Sequence, residues 1–127
     1  MTDLTKSEVI EVGDLDADRW NDYAEAQGWS DGMPLMVPTE DKVAAFAETC
    51  RGDNEPFDPM PPRRAVPTLQ SIAANAVMAG CKPEYFPVVV STVRALLKPD
   101  YNLHGTLATT HPCAPGVIIN GSIRANL

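Results

Sequence analysis

From Tyr101 to Leu127 this 127-residue chain contains no Asp or Glu, and Arg124 is the one Lys or Arg of that stretch. Nearly uncharged sequence of this length calls for cover by other protein rather than for water. A C-x-x-C pair is also missing. The three cysteines, Cys50, Cys81 and Cys113, lie far apart, which excludes a zinc knuckle or a dithiol redox pair and leaves reduced thiols in a reducing compartment. No apolar run approaches the roughly 20 residues that a membrane span needs. The beginning is polar and acidic, without the basic-then-apolar order of a signal peptide, so the cytoplasm is the expected location. Positive charge is scarce too. With 17 acidic against 10 basic residues the net charge is -7, which repels phosphate backbones and anionic lipid and so argues against nucleic acid or a membrane as partner.

What is present suits one domain over 1–127. Residues 1–14 read as an extended N-terminal arm, rich in acid. Asp16 or Asp18 caps a short helix reaching Gln27, with Trp20, Tyr23 and Ala24 on one side and Gly28 as terminator. Trp29-Ser30-Asp31-Gly32-Met33-Pro34 is a turn-rich loop. Thr39 is placed to cap a helix over 40–50 whose inner face is Val43, Phe46 and Ala47. Five prolines in 52–67 make an irregular internal loop that wraps over a surface. Leu69, Ile72, Ala73, Ala76 and Val77 then recur with helical spacing, as do Phe86, Val89, Val90, Val93 and Leu97. The two stripes predict an αα-hairpin stopped by Lys98-Pro99. Gly105–Thr110 and Gly116–Asn120 are β-prone. The expected fold class is therefore α/β (α+β): a central αα-hairpin packed on a short sheet, with a C-terminal β region.

Both histidines, His104 and His111, fall in Asn102-Leu103-His104-Gly105-Thr106-Leu107-Ala108-Thr109-Thr110-His111-Pro112. Imidazole suits proton transfer near neutral pH and is the commonest metal ligand. On one straight strand a separation of seven puts them on opposite faces, so convergence requires a bend at Gly105 or Pro112. The ordinary alternative is a pair of surface or hydrogen-bonded histidines. Thr106, Thr109, Thr110, Asn102 and Asn120 are neutral hydrogen-bonding groups in an apolar setting, the usual lining of a small-molecule pocket. A divalent metal such as zinc would find His104, His111 and Cys113 here, but needs a further ligand from Asp31, Glu84, Asp100 or another chain. Cys113 is a candidate nucleophile or a plain small buried residue. Asp31 is a catalytic carboxylate or, as is common before Gly, a turn former. Arg124 either clamps an anionic or nitro group or pairs with acid from the arm.

Four stretches taken together resemble a known family: the loop 29–34, the run Ala74-Asn75-Ala76-Val77-Met78-Ala79-Gly80-Cys81-Lys82-Pro83-Glu84-Tyr85, Asn102-Leu103-His104-Gly105, and Thr109-Thr110-His111-Pro112 with Ile119-Asn120-Gly121-Ser122-Ile123-Arg124. They are similar to the N-terminal half of a bacterial family placed beside UGSC-type selenoproteins, over about residues 28–124. The resemblance implies a split architecture in which this chain is the small subunit and a larger partner supplies the second half. It carries over Asp31, Asn75, Glu84, His104, Thr110, His111, Asn120 and Arg124 as matched positions. A two-subunit branch hydrolyses activated aryl methyl ethers of nitroaromatic compounds without a redox cofactor, which implies that activity here. His104 or His111, with Asp31, would then activate water, while Thr110, Asn120, Arg124 and Asn75 bind substrate and steady the charge spreading into the nitro groups. The competing expectations are a non-catalytic subunit that shapes a larger catalytic partner, and a metal- or thiol-dependent subunit.

Overall fold

Among the described residues ten side chains make up the apolar interior, and seven of them, Phe46, Ile72, Ala73, Ala76, Val77, Phe86 and Val90, form one cluster where three helices meet. The computed structural model describes residues 9–13 and 16–125. Its helices are α1 (Ala17–Ala26), α2 (Glu40–Glu48), α3 (Leu69–Met78), α4 (Phe86–Leu97) and α5 (Leu103–Ala108), with 3-10 turns at Pro83–Tyr85, Pro99–Tyr101 and Ser122–Ala125. Residues 9–13 of the expected arm carry no helix or strand, and the rest of the arm, 1–8 and 14, lies outside the described residues.

The hairpin forms as the spacing requires. Thr68 and Ser71 close a reciprocal capping box at the start of α3, each backbone N–H donating to the other's hydroxyl at 3.0 Å, which satisfies two helix-end donors. Gly80, at φ +76°, reverses the chain after α3. The 3-10 turn then places Pro87 within the first turn of α4, where its missing N–H costs nothing, and Lys98, extended before Pro99, ends it. Helix α2 lies across this pair. Phe46 meets Phe86 edge to face at a centroid distance of 5.5 Å. Thr39 occupies the N-cap position of α2 without a side-chain cap bond.

Helix α1 is capped by the Asp16 carboxylate, which accepts from Arg19 N–H at 2.9 Å. Trp20 and Asn21 of this helix hold both backbone polar groups of one residue in the following segment. The Trp20 indole N–H donates to the Leu35 carbonyl at 2.9 Å, and the Leu35 N–H donates to Asn21 Oδ1 at 2.7 Å. One residue on, Met36 N–H donates to the Met78 carbonyl at 3.1 Å, which ties this segment to the end of α3.

The expected sheet is absent among the described residues. Among the described residues the strand content is one isolated bridge, Met60 with Ala65, inside the proline-rich loop. Gly105–Thr110, expected to be β, falls largely in α5, because Asn102 sits in the left-handed region (φ 53°, ψ 51°) and its side chain accepts from Gly105 N–H at 3.3 Å. That cap starts a helix, and Leu103 and Leu107 then share a face. Residues 116–120 form no helix, turn or bend and pair with no strand among the described residues. Their β-branched side chains favour a strand only where another strand offers a ladder, and none does within these residues. The hairpin is thus packed on α2, not on a sheet.

The proline-rich loop is anchored by a contact that spacing does not reveal. Arg94 of α4 donates to both carboxylate oxygens of Asp53 at 2.7 Å and to the Glu55 carbonyl at 2.8 Å. Its guanidinium lies 4.8 Å from the Phe57 ring centroid. Hydrogen bonding from Arg94, against an opposing effect of burial, holds the Asp53 carboxyl below the usual aspartate range. A depressed carboxyl contributes stability that is fully present above its unfolded value of about 4 and lost as pH falls through the lower folded value. The expected result is that Arg94→Met destabilises the chain at neutral pH and that the deficit against wild type narrows below pH about 4. Urea unfolding as a function of pH checks this; a deficit constant down to pH about 2 would contradict it.

Candidate functional site

The histidine region begins at the cap of α5. A Cβ on Gly105 would lie 2.5 Å from Asn102 Nδ2, so the Asn-Leu-His-Gly sequence is in the first place the way this turn is built: Asn caps, Leu103 is buried, and Gly leaves room for the cap. His104, between them, points to the surface and is exposed. After α5 the chain is extended at Thr109 and bends at Thr110 and His111. The His111 N–H donates to Thr109 Oγ1 at 3.2 Å, and Cys113 N–H to the His111 carbonyl at 2.7 Å. Among the described residues neither imidazole has a hydrogen-bond or ion-pair partner. Thr110, His111, Cys113, Asn120 and Arg124 are all exposed.

The other candidates lie apart. Asp31 is exposed in a self-bonded turn, where its carboxylate accepts from Met33 N–H at 3.3 Å while Ser30 Oγ accepts from Gly32 N–H at 3.0 Å and donates to the Met33 carbonyl at 2.6 Å. These bonds give Asp31 the turn-forming role. Asn75 is on α3, its amide donating to the Ser71 carbonyl at 2.8 Å. Glu84 is exposed in the 3-10 turn before α4. Among the described residues no three His, Cys, Asp or Glu side chains gather as a metal-ligand set, and His104, His111 and Cys113 are not such a set.

Sequence reasoning missed a groove. It has a volume of about 1130 Å³ and is bordered by Ile10, Tyr23 and Trp29, by Val43 of α2, and by Asn75 and Met78 of α3. At one end Trp20, Tyr23 and Trp29 form an aromatic cluster with centroid distances of 5.8–6.2 Å. Of the sequence-predicted site residues, Asn75 lines this groove; no residue of 101–125 does. The available signal was the recurrence of aromatic residues around the Trp29 loop together with Asn75 on a helix face.

Exposed large apolar side chains occur along the described residues, Val9, Trp29, Met33, Met36 and Val66 among them, and the C-terminal end carries a further group. Leu107 is 53 % exposed, Val117 53 %, Ile118 88 % and Ile119 37 %. No helix of the described residues is long and apolar enough to cross a membrane. No family model, curated protein or solved structure matches the chain.

Proposed function

We propose that this chain is the small subunit of a heteromeric hydrolase, and that its C-terminal segment brings His104 and His111 into a site completed by a larger partner subunit. The observation that carries the reading is the exposed, acid-free run from Leu107 to Ile119, which places large apolar side chains in water beside two unpartnered imidazoles. Large apolar side chains left exposed along one uncharged segment suit an interaction site, and cover by protein would place the histidines in the low-dielectric setting where general bases act.

The substrate class follows from the resemblance of the motifs: an activated aryl methyl ether such as a dinitroanisole-like nitroaromatic. His111 or His104 takes a proton from water, whose oxygen attacks the ring carbon bearing the methoxy group. Negative charge moves into the ring nitro groups, where Arg124, Thr110 and Asn120 stabilise it. The bond between the ring carbon and the methoxy oxygen then breaks, methanol leaves with the proton returned by the imidazolium, and the nitrophenol that remains releases its own proton to solvent to become the phenolate. Asp31, in the loop after α1, and Asn75, which faces the groove, are given no direct part in this scheme.

A second reading, a non-catalytic subunit that shapes its partner, is favoured by the absence of an acid beside either imidazole among the described residues. The expected result separating the two is that a larger polypeptide co-purifies with this chain in fixed ratio and that neither alone releases the phenol. Activity of the larger polypeptide by itself would favour the non-catalytic reading. Recovery of the chain as an active or solitary monomer from its native cells would remove both.

A further inference from the structure

We propose that the groove between α1, α2 and α3 binds a small, flat, uncharged aromatic molecule that carries a hydrogen-bond donor. No residue of 101–125 lines this groove, so the inference stands apart from the reading of His104 and His111.

The walls define the ligand class. Four parts of the chain surround the space: α1 with the Trp29 loop, α2, α3, and Val9, Ile10 and Val12 ahead of α1. A concavity of about 1130 Å³ enclosed in this way suits a small molecule rather than the flat face of another protein. Ala44 and Ala47 of α2 and Ala74 of α3 line it with single-carbon side chains, so the helices leave the space open instead of filling it. At the aromatic end the Trp29 N–H donates to the Ala24 carbonyl at 2.9 Å, which holds the loop against α1. Its ring meets Tyr23 edge to face at 5.8 Å. Trp29 nevertheless stays 45 % exposed, while Trp20 beside it is buried. An indole that is fixed in place yet partly open is a surface on which a flat π-system stacks.

Charge and hydrogen bonding narrow the class further. The charged side chains of the lining are Glu40, Glu48 and Arg51, and Arg51 is paired with Glu48 at 2.7 Å. The carboxylate left over, Glu40, opposes an anion, and the apolar walls oppose any ion that would have to shed its water. Asn75 supplies the directional contact. The Ser71 carbonyl can only accept, so the Asn75 amide turns Nδ2 toward it, at 2.8 Å. Oδ1 accepts no hydrogen bond among the described residues, which makes it the acceptor that Asn75 can offer to a ligand's N–H or O–H.

Fluorescence titration of the full chain with N-phenylnaphthylamine, a neutral aromatic amine, tests this. Both tryptophans of the chain, Trp20 and Trp29, border the groove, so occupancy is read as quenching of their emission. The expected result is saturable quenching, with anilinonaphthalene sulfonate, the anionic counterpart, binding more weakly by roughly tenfold or more. Ala44→Phe fills the space and should weaken the amine by roughly tenfold or more. Its circular dichroism should match wild type, because Ala44 is exposed. Asn75→Leu should weaken the amine by about twofold to tenfold and leave phenylnaphthalene, which has no N–H, unchanged. Absence of quenching, or quenching that neither variant alters, overturns the site. A sulfonate that binds as tightly as the amine, or an Asn75→Leu variant that treats both neutral probes alike, overturns the ligand class. A dimer in sedimentation that Ala44→Phe dissociates means that a second copy fills the groove, which also overturns the proposal. Assembly with a larger polypeptide is untouched by any of these results.

Discussion

Alanine at both His104 and His111 in the assembled heteromer is expected to lower nitrophenolate release by about 10²–10⁴-fold, the usual contribution of a positioned general base. The fold should not be the cause. Both imidazoles are exposed and unpartnered among the described residues, and surface substitutions of that kind shift stability by no more than about 0.5 kcal/mol. Unfolding of the isolated variant should therefore overlay wild type while turnover collapses. Single substitutions then identify the base: the histidine that takes the proton loses kcat, and the other changes KM or nothing. A double variant that assembles normally and keeps full activity would exclude histidine-assisted hydrolysis.

Phe86→Ala is expected to cost about 3–5 kcal/mol, the range for emptying a buried aromatic site. Phe86 is fully buried, lies edge to face against Phe46, and stands at the first residue of α4 where α2 and α3 converge. The interior it would open is small, so few side chains can move in to fill the space. Against the 5–15 kcal/mol typical of a whole domain, a loss of roughly this size removes much of the stability. Phe86→Leu, which keeps part of the buried carbon, should cost less. Urea unfolding of the isolated chain measures both. A cost below about 1 kcal/mol for the alanine variant would mean that the three-helix interior is not where the fold is held.

The sequence discloses what is local and periodic. The stripes of α3 and α4, the Thr68 cap, the Asp16 cap, the turn before Pro87 and the stop at Lys98-Pro99 all follow from spacing or from the chemistry of one or two residues. The β assignments fail because β-propensity describes a surface waiting for a neighbour. In Gly105–Thr110 the Asn102 cap overrides it, and in Val117–Ile119 the neighbour is missing from the described residues. The clamp of Arg94 on Asp53 is hidden by distance, the two being 41 residues apart. The site is legible only in part. The uncharged composition of the histidine segment calls for cover that the described residues of the chain do not give it, whereas the placement of Asn75 in an aromatic-lined groove depends on how α1, α2 and α3 pack.

Cys113 offers the most direct measurement, because its thiol is exposed two residues beyond His111 while Cys50 and Cys81 are partly buried. Alkylation by iodoacetamide, followed residue by residue in the isolated chain and in the native assembly, reads whether another polypeptide closes over this segment. The account predicts rapid labelling of Cys113 in the isolated chain and strong protection in the assembly, with Cys50 and Cys81 unchanged. Equal labelling of Cys113 in both states would contradict it.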